Sequence, residues 1–364
     1  MPAASTPDDI RSKVRSGWRL TREQGLDLLQ RADLLEMGAL AQEARFRHNP
    51  ERVVTFAVDT NLNYSNVCDA HCAFCAFYRT LGHAEAYTHT PEQMVEKIGR
   101  AAAAGVTTVL LQGGLHPELP LEYYEELVRL TCQRHPQVTP HFFSAPEVLK
   151  MSKVSGLSVR EVLARLKAAG QRTLPGGGSE VLSDRVKRRV SRRHPKNRSE
   201  DWLGVHREAH RLGYRTTATM MYGHLENDED IVEHLEVVRA LQDETGGFTA
   251  FIPWGYKREN TALAKKAKEE AGPNRYLRII ALSRLYLDNV AHIQASWFSE
   301  GKKTGQVALH FGADDFGGTL FEESVMLAAG FYNRTTVEEV IALIREAGFQ
   351  PAQRTTLYEV IQRF

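Results

Sequence analysis

The sequence predicts an α/β protein built as a (β/α)8 TIM-type barrel, and three observations carry that prediction. Strand-like and helix-like segments alternate from Val54 onward, and eight strand candidates can be counted. The stretch from Val54 to Phe311 spans 258 residues, close to the roughly 250 typical of the architecture. Strands separated by helices argue for parallel pairing through right-handed crossovers. The alternative, a doubly wound open sheet, suits eight such units less well.

The elements can be justified in order. Residues 1–50 read as an N-terminal helical extension: Thr21 and Gln24 stand in capping-box spacing before GLDLLQRADLLEMGALAQEARF, whose apolar residues recur at helical intervals. VVTFAVDT is β-rich and runs through NLNYSNV into CDAHCAFCAFYR. Thr90, Pro91 and Gln93 open a helix that ends at Gly105, and VTTVLLQGG supplies the next strand and a glycine turn. LEYYEELVRLTCQR precedes TPHFFSAP, and Ser158 with Glu161 caps a helix that leads through Gly170 into QRTLPGGGSE. SEDWLGVHREAHRLG precedes YRTTATMMYGH, and DEDIVEHLEVVRALQDETGG precedes FTAFIPWGY. AHIQASWF and QVALHFGADD are the last two strand candidates. The barrel is thereby placed at residues 51–312, with 313–364 expected as an α-rich C-terminal segment packed on it. In such a barrel the loops after the strands share one face, so the polar and glycine-rich clusters should crowd the C-terminal mouth.

Bulk composition narrows the function classes. With 46 Lys and Arg against 45 Asp and Glu, the formal charge is +1, which gives no electrostatic reason to expect nucleic acid or a membrane surface as partner. The basic run DRVKRRVSRRHPKNR, residues 184–198, would suggest RNA if it stood alone. It lacks the interleaved aromatics of a single-strand platform, so a solvated loop or helix face is the reading. The first residues hold no apolar core of signal-peptide length, and no stretch approaches the roughly 20 apolar residues that span a bilayer. Four cysteines, three of them bunched at Cys68, Cys72 and Cys75 and one alone at Cys132, do not form a disulfide framework. A reducing, cytoplasmic setting is expected.

Three thiols within eight positions call for a metal. Zinc would want a fourth ligand, His71 or Cys132, but the C-x3-C-x2-C spacing has no second knuckle elsewhere in the chain. Three thiolates on one loop can instead hold a 4Fe-4S cube and leave one iron open for chemistry. Cys68, Cys72 and Cys75, with Phe74 just before the last cysteine, resemble the signature of the radical S-adenosylmethionine (SAM) enzymes. That resemblance implies a [4Fe-4S] cluster, SAM as cosubstrate, a 5′-deoxyadenosyl radical, and an electron donor such as a flavodoxin or ferredoxin. Phe74 would then pack near the adenine. Gln112, Gly113 and Gly114 stand where the family often has a Gly-Gly-Glu element at the methionine amine, with Leu115 in place of the acid. PGGGSE lets backbone approach a ligand, and its Glu180 could bind ribose hydroxyls.

Beyond the cysteines, CAFYR, LLQGGLHP, PGGGSE, ATMMYGH, FIPW, IQASW and GADDFGGT are similar to the cyclic dehypoxanthinyl futalosine synthases of menaquinone biosynthesis. The aminofutalosine synthases and the radical enzymes of deazaflavin assembly are near relatives. The resemblance implies hydrogen abstraction from the ribose 4′ carbon of a small-molecule substrate, dehypoxanthine futalosine. Addition to its benzoate ring follows, then loss of a proton and an electron. Asp314, Asp315, Glu180 and His224 are the candidate proton acceptors, Arg79 the candidate partner of the benzoate, and Tyr78 a candidate for positioning the ring. Of the adjacent Asp314 and Asp315, one is expected to face the pocket.

Overall fold

A computed structural model describes residues 7–192, 196–332 and 334–364. The strand predicted at VVTFAVDT bends at Val58 into two: β1 (Val53–Ala57) and β2 (Asp59–Leu62). Seven parallel strands follow round the barrel in sequence order. They are β2, β3 (Thr108–Leu111), β4 (Thr139–Phe142), β5 (Thr173–Leu174), β6 (Arg215–Tyr222), β7 (Phe248–Gly255) and β8 (His292–Ile293). Helices cover the outside, as parallel pairing requires. The predicted capping boxes at Thr21 and Gln24, Thr90 and Gln93, and Ser158 and Glu161 all form.

The eighth strand corrects the sequence reading. QVALHF folds into the helix Lys302–Ala308 and the turn after it, and the strand is β9 (Asp315–Gly318). A short apolar run fits strand or helix equally well. Here tertiary contacts decide: Lys302 pairs with Glu339 at 2.6 Å, and the Gln306 amide donates to the Leu343 carbonyl. β9 bridges to β8 at Gln294 and Asp315. Its continuation bonds to the end of β1 through Thr319 N–H to Ala57 O (3.1 Å) and to β2 through Phe321 N–H to Asp59 O (2.9 Å) and Asn61 N–H to Glu322 O (2.9 Å), closing the ring.

The C-terminal segment is not α-rich as expected. It holds one substantial helix, Val337–Glu346, but also β9, β10 (Gln350–Arg354) and β11 (Val360–Arg363). These join β1 in a second sheet of order β11-β10-β1-β9, with β10 parallel to β1 and β11 antiparallel to β10. This sheet lies at the N-terminal end of the barrel, and the turn after β10 forms the barrel's floor. The N-terminal helices Arg22–Arg31 and Leu34–His48 pack on the helix Pro273–Tyr286, with Gly25 against Tyr286 and Gly38 against Phe311. No described helix is long and apolar enough to cross a membrane.

Because side chains alternate along strands, every second residue points inward. Asp59 and Asn61, Thr108 and Leu110, Thr217 and Thr219, and Ile252 and Trp254 all line one lumen.

Candidate active site

The cysteine loop leaves β2 and returns across its own base. Cys68 N–H donates to Arg79 O (2.9 Å) and Arg79 N–H to Asn66 O (2.8 Å), while the Asn66 side chain ties Glu85 O and Tyr87 N–H. Between these anchors, Ala73 N–H reaches Val190 O (2.9 Å) and Cys75 N–H reaches Cys72 O (3.2 Å). The glycine turn after β3 lies directly beneath. A Cβ on Gly114 would fall 2.1 Å from Val67 O and 2.9 Å from the Cys68 Cβ, and one on Gly113 would enter the Tyr64 ring. Both glycines are therefore required by close approach. Glu147, buried and capping the helix Ala145–Ser155, holds that turn: it accepts from Gly113 N–H (3.0 Å), Tyr64 Oη (2.8 Å) and both donors of Ser144. Sequence reasoning missed it, although Ser144 and Glu147 carry capping-box spacing.

All four cysteines are unbridged. Burial pushes the Cys72 thiol up to about 12 and raises that of Cys75, with the neighbouring thiols adding to both. Thiolates so disfavoured by their surroundings suit a cationic metal group, which deprotonates its ligands outright. Among the described residues no three His, Cys, Asp or Glu side chains gather as ligands of a single metal ion. A cubane cluster spreads three thiolates over three irons and asks for a wider set. The donor set fits a [4Fe-4S] cluster held by Cys68, Cys72 and Cys75.

Glu180 adjoins this loop. Its backbone takes a left-handed conformation, φ +46°, and its buried carboxylate pairs with Lys196 (2.7 Å) and lies 3.6 Å from Lys187. Burial alone would raise this carboxyl, but the two ammonium charges outweigh it and hold it below the usual range. Lys196 also sits over the Phe74 ring, 5.3 Å from its centroid. The basic run is thus not simply a solvated face, since Lys187 is buried and Lys196 points inward. Residues 193–195 of that run lie outside the described residues.

Five expected site residues are placed elsewhere by the geometry. The Arg79 guanidinium binds Glu85 (2.6 Å) and the carbonyls of Ala76 and Tyr78, so it braces the cysteine loop and does not line the lumen. Tyr78 packs edge-on against His71 and under Arg192, also away from the lumen. The His224 ring is enclosed, held by Glu226 (3.1 Å) and by the Met221 carbonyl (2.9 Å). Asp314 and Asp315 open β9, so they lie at the barrel's N-terminal end, the side of the fold that confers stability. Asp314 is tied to Arg284 (2.5 Å) and His292 (2.6 Å), and these charges overcome burial to draw its carboxyl down to about 2. Asp315 is held by both edges of Arg354, at 2.5 and 2.9 Å. Neither lines the lumen.

What does line it is a cavity of about 240 Å³ with two unlike walls. Polar groups predominate on the β2 to β6 side, where Asp59, Asn61, Thr108, Gln112, Thr217 and Thr219 stand with His141 and Leu110; Ile252, Trp254, Phe298, Leu320 and Met326 give the β7 to β9 side its apolar surface, interrupted by Gln294 and Glu323. Arg354, Thr356 and Tyr358 form the floor. Of the expected side chains Gln112 reaches this cavity, and so does the backbone of PGGGSE at Pro175, Gly176 and Gly177, where a Cβ on Gly177 would meet the Gln112 amide at 2.5 Å.

Comparison with known proteins agrees with this arrangement. Residues 62–238 match the radical SAM superfamily model, and 245–363 match the CofH/MqnC C-terminal region. The cyclic dehypoxanthine futalosine synthase of Halalkalibacterium halodurans is 42% identical, over 98% of this chain and 95% of its own. The 5-amino-6-(D-ribitylamino)uracil–L-tyrosine 4-hydroxyphenyl transferase of Methanopyrus kandleri is 40% identical over 93% and 92%, and the aminodeoxyfutalosine synthase of Streptomyces coelicolor 38% over 98% and 94%. Methylornithine synthase shares the fold, with TM-score 0.73, 19% identity, and 94% of this chain and 97% of that one covered. With relatives up to 42% identical along nearly its whole length and both models matched, this three-cysteine barrel protein is a member of the radical SAM enzyme family that carries the CofH/MqnC C-terminal region.

Proposed function

We propose that this chain cyclises dehypoxanthine futalosine to cyclic dehypoxanthinyl futalosine. The observation that carries the reading is the two-faced cavity under the cysteine loop. A ligand with a polyhydroxylated ribose at one end and an aromatic acid at the other needs hydrogen-bonding groups along one wall and flat apolar surface along the other. Asn61, Gln112, Thr217 and Thr219 supply the first, Trp254 and Phe298 the second. Once bound, a [4Fe-4S] cluster held by Cys68, Cys72 and Cys75 would supply, with SAM, the radical chemistry that takes hydrogen from the ribose 4′ carbon.

This chain's own residues do the rest. Cys68, Cys72 and Cys75 hold the cluster over the lumen, and Gln112 and Glu180 flank its approach. The polar wall fixes the ribose so that its 4′ carbon faces upward, and Trp254 and Phe298 hold the benzoate ring against it. Holding two reacting carbons together is worth a large part of a barrier of this kind. The benzoate carboxylate points to Arg354. That side chain, which lines the floor, takes the place first expected for Arg79; its Nε and Nη2 hold Asp315 and its Nη1 donates to the Thr355 carbonyl, so the benzoate would share it with these partners.

The reading is tested by anaerobic reconstitution, followed by incubation with SAM, a reductant and each candidate substrate, with products resolved by mass. Cyclic dehypoxanthinyl futalosine is the expected product. Formation of aminodeoxyfutalosine, or of a hydroxyphenyl adduct of the ribitylaminouracil, with no cyclisation would assign the chain to one of its other relatives' reactions.

A further inference from the structure

The cyclisation leaves one proton to be removed, and none of the carboxylates singled out in the sequence reaches the cavity. Two others do, Asp59 and Glu323. Glu323 is fully engaged: Oε1 accepts from Val325 N–H and the Asn61 amide, and Oε2 from Met326 and Leu327 N–H. It caps its own chain segment. Asp59 is different. Its Oδ1 accepts from Leu320 N–H at 2.8 Å and the Thr319 N–H also faces the carboxylate, but no side chain donates to it among the described residues.

The fold makes room for this carboxylate. A Cβ on Gly318 would fall 1.9 Å from Oδ2, so β9 carries glycine where Asp59 turns into the lumen. Asp59 opens β2, three residues below Leu62, which places it about 10 Å down the strand from the start of the cysteine loop. That is the depth of the floor, where Arg354 lies. The charged groups facing it are Arg354 of β10 and Asp315 of β9, and these two neutralise each other in a two-bond pair. The carboxyl is buried, and its removal from water, with Asp315 adding, outweighs Arg354 and the backbone donors to raise it to about 6. A base so tuned is matched to work near neutral pH.

Resting on the proposed cyclisation, we infer that Asp59 Oδ2 is the proton acceptor of the rearomatisation step. The C–H bond at the attacked ring carbon breaks. Its proton passes to Asp59, its electron pair re-enters the ring, and the unpaired electron leaves to a one-electron acceptor of the iron–sulfur class.

The test compares wild type with Asp59→Asn and Asp59→Glu as reconstituted holoenzymes, alongside calorimetric binding of dehypoxanthine futalosine to the same proteins without SAM. For Asp59→Asn, substrate binding and 5′-deoxyadenosine formation should stay within about threefold of wild type, while cyclic product falls by about 10² to 10⁴. Asp59→Glu should recover part of that loss. Unchanged product in Asp59→Asn would overturn the assignment, as would loss of substrate affinity in proportion to loss of product, which would make Asp59 a binding group. A wild-type enzyme that forms no cyclic product removes the functional reading and this role with it. A wild type that cyclises beside an equally active Asp59→Asn removes the role alone.

Discussion

Asp59 makes a prediction about stability that needs no substrate. Its carboxyl moves from an ordinary value of 3.8 to about 6 in the folded protein, and at about 1.4 kcal/mol per pH unit that amounts to about 3 kcal/mol. The sign follows from which state binds the proton more tightly. A raised carboxyl favours folding while it is protonated, so its contribution is complete below about pH 4 and is lost as pH rises through 6. At pH 7 the folded protein carries the whole cost. Asp59→Asn removes the charge, keeps the shape, and keeps an oxygen for Leu320 N–H. It should therefore be more stable than wild type by up to about 3 kcal/mol at pH 7, with the difference shrinking through pH 5 and vanishing near pH 4. Urea unfolding of both proteins in the same cofactor state, at pH 4, 5, 6, 7 and 8, measures it. A variant less stable than wild type at pH 7, or a difference that does not change with pH, would refute the burial argument. A group that costs stability where the enzyme works, beside a cavity, is the pattern expected of a functional residue.

Two further outcomes follow from the described pairs. Asp314→Asn should cost about 3–5 kcal/mol by stranding the buried Arg284 guanidinium, without changing iron content. Because the Asp314 carboxyl is drawn down to about 2, its contribution is present above pH 4 and fades as pH falls toward 2, which acid unfolding of wild type and variant will show. Cys132→Ala should keep its full iron and sulfide content after reconstitution, whereas Cys72→Ala should lose it. Equal loss in both would reassign the ligands.

The cluster loop was legible in the sequence because its chemistry is local. Three thiols at fixed spacing on one loop, and glycines two and three residues past a strand, need no knowledge of the fold to be noticed. The capping boxes were legible for the same reason. The lumen was not. Its walls come from one or two residues each of many strands and from a C-terminal turn, and in the sequence Asp59 is one acid in an otherwise ordinary strand. Its signal was present, since a carboxylate at an inward position of a barrel strand opposes the period-2 pattern of burial, but reading it requires the register. Arg79 misled for the opposite reason. An arginine beside the cysteines looked available, and only the fold shows its guanidinium bound to Glu85 and to its own loop's carbonyls.

The misplaced eighth strand explains the largest error and the remedy together. Had QVALHF been the strand, Asp314 and Asp315 would follow it at the mouth, where barrel enzymes keep their reactive groups. The true strand begins at Asp315, which shifts the pair to the opposite end. Two adjacent carboxylates alternate across a strand, so they face different ways, and each meets its own arginine, Arg284 from the helix before β8 and Arg354 from the end of β10. Each acid is thereby neutralised and made part of the seam between barrel and C-terminal sheet. The same shift pairs Gly318 with Ala57 and sets it against the Asp59 carboxylate, which occupies the space a side chain there would fill. One register decision therefore takes the proton acceptor from β9 and hands it to β2, and a Gly318→Ala exchange, which would close that space with a methyl group, should impair cyclisation in the same way as loss of Asp59 itself.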